Sequence, residues 1–175
     1  MTKPPRRQTR LPIPPCNKLA LASSLPRLTG SAPDDTDWGE ALYGAWLCGT
    51  VLGQVGMALH HKFCHALGGG FNLPHAETHA VILPHAVAYS EPAVAELLRP
   101  VANIFGTATA HAGLTSFARR IGAPASLAVL GLTATDLPRA VDLSTANPYW
   151  NPRPVERDAI AALIARAFAG QPAQP

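Results

Sequence analysis

The chain has 175 residues, of which 47% are apolar and only 14% charged, enough for one domain with a hydrophobic core and unlike a disordered chain. The net charge of +3 is no nucleic-acid signature: five of the fourteen basic residues (Lys3, Arg6, Arg7, Arg10 and Lys18) fall in the first eighteen positions, leaving nine against eleven acids. Three cysteines, Cys16, Cys48 and Cys64, without a CxxC pair, argue against a disulfide scaffold and for free thiols in a reducing cytoplasm.

Residues 1–18, MTKPPRRQTRLPIPPCNK, are basic and proline-rich and predict an unpacked leader. Arg6–Arg7 does not open an export signal, because the prolines of LPIPPCNK break the apolar run such a signal needs. LALASSLPRL predicts a short helix over 19–28. After the loop TGSAPDDTD, Asp37 offers a cap for a long apolar helix reaching about Leu67, where Gly68–Gly69–Gly70 suits a C-cap. Within it, Ala41 to Leu59 carries no charge and has the length of a bilayer span. Four glycines, Thr50 and Gln54 favour instead a helix buried on all sides in protein. FNLP then leads into a second apolar helix, HAETHAVIL onward, with a kink expected at Pro84. A third helix, from about Pro92 to Phe105, places Val94, Leu97, Leu98, Val101 and Ile104 at helical spacing. Further helices fit 110–121, 135–146 and 154–169, with GAPASLAVLG and NPYWNPRP as turn-rich links. Strand alternation is nearly absent. The reading is an all-α helical bundle over 19–170, with a tail at 171–175.

Six of the seven histidines lie between His60 and His85. His61 and His65 are four apart and leave the same helix face. His75 follows a glycine turn that can return it beside them. Neutral imidazoles so arranged suit a metal or catalytic pocket. HKFCH lacks the glutamate of H-E-x-x-H, and HAETH puts Glu77 at the wrong place for it, so a zinc protease is disfavoured. Cys64 with His61 and His65 offers a mixed zinc site, but without the second thiolate that structural zinc usually takes.

The stretch GMALHHKFCHALGGGFNLPHAETHAVILPHAVAYS, Gly56 to Ser90, resembles the signature of the iron-containing alcohol dehydrogenase superfamily, and within it the maleylacetate reductases; ANPYWNPRPV is similar to the same branch. The resemblance implies the helical C-terminal domain of that fold. It implies that His61 and His75 occupy metal-ligand positions, for Fe2+ or Zn2+, and that His65 lies beside nicotinamide and substrate as proton donor. It also implies NADH or NADPH as cofactor and maleylacetate as substrate, reduced to 3-oxoadipate in aromatic-compound degradation. A dianionic substrate needs cations and donors, for which Lys62 and His79 are the candidates, with His85 as a further donor. Glu77 could orient His65 or His79, and Tyr149, Trp150 and Arg153 are expected to order the terminal loop. Two further family ligands, the NAD(P)H-binding α/β domain and any glycine-rich phosphate loop have no counterpart in these residues. The expectation is a truncated form, inactive as an isolated polypeptide. The alternative is a non-catalytic α-domain that binds metal weakly or associates with a full-length relative. No nucleic-acid or membrane partner is expected. Self-association through exposed apolar faces is.

Overall fold

The computed structural model describes Leu28 and residues 32–52 and 56–175. The expected leader over 1–18 and, but for Leu28, the helix over 19–28 lie outside the described residues. Among the described residues the structure is helical, without strands. The chain divides into two units, residues 1–56 and 57–175.

In the first unit, α1 spans Asp35–Leu52. Its cap is Asp34, whose Oδ1 accepts the Asp37 N–H at 2.9 Å, while the Asp37 carboxylate accepts the Asp34 N–H at 3.4 Å. The expectation of one buried helix from Asp37 to Leu67 is corrected twice. The helix ends at Leu52 and a new one starts at Leu59; Gly56, just before it, is about 1 kcal/mol worse than alanine in a helix. Nor is α1 buried on all sides: Trp38, Leu42 and Trp46, spaced by four, are 51%, 68% and 63% exposed. Among the described residues no helix is long and apolar enough to cross a membrane.

The second unit holds α2 (Leu59–Phe71), α3 (His75–Phe105), α4 (Ala110–Arg120), a 3-10 turn (Ala134–Asp136), α5 (Leu137–Thr145) and α6 (Arg157–Ala169). Its core is built from helix faces at i, i+4 spacing: Phe63 and Leu67 of α2, Ile82 of α3, Ile160 and Ile164 of α6, with Leu127 from the 122–131 link. Gly68–Gly69–Gly70 does not stop α2. The helix runs through it to Phe71, and Asn72, at φ 54°, takes the left-handed cap position. The glycine at 70 serves close approach instead, since a Cβ there would stand 2.6 Å from Leu143 Cδ1.

The expected second and third helices follow one another directly as the 31 residues of α3, two helical segments divided by non-helical backbone at Val94. The kink falls at Val94 (φ −140°, ψ 31°), not at Pro84. It follows Pro92, which has no N–H to give to the preceding turn. Just before it, Glu91 reaches across to cap α4, accepting from Ala110 N at 2.7 Å and from His111 N at 3.3 Å.

Candidate active site

Helices α2 and α3, joined by the short turn at 72–74, gather five histidines. Along α2, His61 and His65 stand one turn apart, and His60 precedes them. From α3, His75 and His79 are likewise one turn apart. Four rings close a circuit, with centroid separations of 6.1 Å (His61–His65), 6.5 Å (His65–His75), 4.4 Å (His75–His79) and 5.1 Å (His79–His61). His60 adds to it at 4.8 Å from His79. His65 and His75 are exposed, whereas His60, His61 and His79 are half-buried.

Burial sets the charge of the half-buried members. Desolvation holds His60 below the ordinary imidazole value, opposed by its bond to the His79 carbonyl and reinforced by His61; desolvation likewise lowers His61, with His65 and His75 adding to it. His79 is pushed down to about 4 by burial first, then by His60, His75, His61 and His65. At neutral pH these three are donors and acceptors without charge. The Nε2 atoms of His79 and His75 lie 3.1 Å apart, so one donates to the other.

The loop before α6 closes over this face. Tyr89 of α3 anchors it: its hydroxyl donates to the Pro154 carbonyl at 2.5 Å and accepts the Glu156 N–H at 3.2 Å. Arg153 stacks on the Tyr89 ring, 4.2 Å from its centroid, and donates to the Tyr89 carbonyl. Tyr149, on the same loop, brings its hydroxyl to 3.3 Å from His65 Nδ1, with Lys62 Nζ 5.7 Å from the centre of its ring. Arg153 thus orders the loop as expected. Tyr149 turns instead toward the histidines, and Trp150 is 71% exposed.

The sequence matches the Fe-containing alcohol dehydrogenase family, C-terminal, over residues 19–168. The chain belongs to this family. It is 62% identical over 139 residues to the maleylacetate reductase of Rhizobium sp. (strain MTP-10005), a match covering 79% of this chain and 39% of that protein. The structure superposes on the maleylacetate reductase of Agrobacterium tumefaciens with a TM-score of 0.85 at 55% identity, covering 89% of this chain and 44% of that one. The iron-containing alcohol dehydrogenase of Corynebacterium glutamicum gives 0.80 at 39% identity, covering 87% and 43%. The chain therefore spans less than half the length of these relatives.

The family name carries iron, and the resemblance puts its ligands at His61 and His75. His61 and His75 come from α2 and α3, and as two imidazoles they fall short of a full ligand set by themselves. Among the described residues the close group of three metal-ligating side chains is His60, Cys64 and His79 rather than one that contains this pair. His85, offered by sequence as a further donor, lies away from the cluster, buried in the core. Burial first, and Arg166 second, hold it at about 4. Glu77 is exposed. Sequence reasoning missed two neighbours of the cluster. His60 had a visible signal, four residues before Cys64. Tyr149, 84 residues from His65, had none.

Proposed function

We propose that this chain supplies one wall and the proton donor of a maleylacetate reductase reaction, the NAD(P)H-dependent reduction of maleylacetate to 3-oxoadipate. The observation that carries the reading is His65, exposed at the edge of the histidine cluster with Nδ1 committed to the Tyr149 hydroxyl. That leaves Nε2 as the ring nitrogen free to face a substrate, with Tyr149 fixing the orientation of the ring. The nicotinamide supplies the hydride, and His65 supplies the proton that balances it. Lys62 contributes the positive charge a dicarboxylate requires. The cluster lies open to solvent rather than in a closed cavity; a concavity of about 350 Å³ between Glu91, Glu96, Arg99 and His111 contains none of these histidines. Hydride transfer needs the donor carbon within roughly 3–3.5 Å of the acceptor, in a site closed to water, so a second wall is required.

The test joins these residues to the N-terminal half of the Rhizobium maleylacetate reductase and follows NADH oxidation with maleylacetate. The chimera turns over, and His65→Ala lowers turnover by about 10²–10⁴-fold, the range of a lost general acid. A polypeptide of these 175 residues alone shows no turnover. Steady NADH oxidation by that polypeptide, or full activity of the His65→Ala chimera, refutes the reading. A second reading, a non-catalytic domain that associates with a full-length relative, is favoured by the exposed Trp38, Leu42 and Trp46 of α1. Co-sedimentation with that relative, abolished by Trp46→Lys, separates it from the first.

A further inference from the structure

We infer that His60, Cys64 and His79 form a mixed thiolate–imidazole site for one divalent cation of the zinc class. It shares His60 and His79 with the histidine cluster and adds the Cys64 thiol, and it does not rest on the reductase reading. The ligand atoms of the three lie within 4.8 Å of one another, and among the described residues no other group of three or more His, Cys, Asp or Glu side chains does so.

The placement follows from the two helices. His60 and Cys64 are one turn apart on α2 and share a face, and His79 comes from the second turn of α3. Zinc bonds of ~2.3 Å to sulfur and ~2.0–2.1 Å to nitrogen put tetrahedral ligand atoms roughly 3.4–3.6 Å apart. Closing the group therefore takes about 1 Å of inward movement, within reach of side-chain rotation. The tautomer is already set on one side. His60 Nε2 lies 3.2 Å from the His79 carbonyl, which can only accept, so Nε2 carries the hydrogen and the lone pair is on Nδ1. A ligating histidine whose other N–H is held by a carbonyl is the usual support for a metal ligand. When His79 Nε2 donates to His75, the lone pair of His79 is likewise on Nδ1.

The donor chemistry selects the ion. One thiolate and two imidazoles, with no carboxylate, suit zinc or cobalt and not calcium or magnesium. Cys64 is fully buried, and burial pushes its thiol up to about 12, so without a cation it stays protonated and inert. Binding replaces the S–H bond by a metal–sulfur bond and releases that one proton; the neutral imidazoles coordinate through lone pairs and release none. A fourth position remains for water beside His61, whose ring borders those of both His60 and His79 at 5.6 and 5.1 Å. Three protein ligands with one open position is the pattern of a reactive rather than a closed structural site.

The test titrates Co2+ into the full chain, with Zn2+ as competitor. One equivalent binds, with a thiolate-to-cobalt charge-transfer band, tetrahedral ligand-field bands and one proton released per ion. Cys64→Ser abolishes the charge-transfer band. His60→Gln and His79→Gln each weaken binding at least about 100-fold, beyond the range for losing an outer-shell partner. His75→Ala leaves the band in place. If Cys64→Ser does not fold by circular dichroism, the half-buried His60 and His79 variants carry the test. No uptake, a charge-transfer band that survives Cys64→Ser, or a site lost with His75→Ala but kept in His60→Gln and His79→Gln each overturns the proposal.

Discussion

Tyr89→Phe removes one oxygen atom and should release the loop that carries Tyr149. The Tyr89 ring is 2% exposed and keeps its packing as phenylalanine. What is lost is the bond to the Pro154 carbonyl and the bond from the Glu156 N–H, at 2.5 and 3.2 Å. Pro154 and Glu156 are exposed residues, so water can serve their freed backbone groups and no large burial penalty is added. Two bonds at about 1 kcal/mol each amount to about 2 kcal/mol. For a chain of this size that lowers the thermal midpoint by ~4–8 °C. Glu156 is also the N-cap residue of α6, so its amide should exchange faster with solvent while amides at the centre of α6 do not. Thermal melting followed by circular dichroism and amide exchange read the two effects. An unchanged midpoint with unchanged exchange at Glu156 would show that the phenol does not hold the loop. A fall of more than about 4 kcal/mol would show that the ring packing itself had changed, beyond what two hydrogen bonds supply.

Gly113→Ala should destabilise the second unit by about 1–3 kcal/mol in urea unfolding, although alanine is the better helix former by about 1 kcal/mol. A Cβ at Gly113 would stand 2.7 Å from Phe105 Cβ and 2.8 Å from Thr107 Oγ1, too close for either to ignore; a gain in stability refutes that packing. Acid should destabilise the fold as soon as the histidines of the unfolded chain take up protons. His79 and His85 are held at about 4 against the ordinary 6.5, so the unfolded chain binds more protons and stability falls as pH drops from about 6.5 toward 4. The buried His85 alone accounts for on the order of 3 kcal/mol over that window, and His85→Gln should flatten the slope of midpoint against pH; an unchanged slope assigns the effect elsewhere.

The helical character of the second unit was readable from spacing alone, because apolar residues at i and i+4 commit a segment to one buried face whatever it packs against. The ends of the helices were not. Gly68–Gly69–Gly70 looked like a stop, yet Gly70 continues α2 so that Leu143 can lie against it, a contact 73 residues away that no local rule contains. Pro84 and Pro92 look alike in sequence, but non-helical backbone occurs only at Val94, next to the point where Glu91 turns to cap α4. The apolar run of α1 read as buried; hydrophobicity says what would favour burial, not what is there to cover it.

The same division runs through the candidate site. Sequence alone determined that His61 and His65 share a helix face and that His75 can return beside them, since four-residue spacing and a short turn are local geometry. Only the tertiary structure decided the rest. It set His79 against His75, Nε2 to Nε2. It grouped His60 with Cys64 and His79 across two helices, and it carried Tyr149 onto His65 by way of an anchor on Tyr89. Each of these is a contact between side chains whose distance is set by how helices pack, and helix packing depends on every buried face at once.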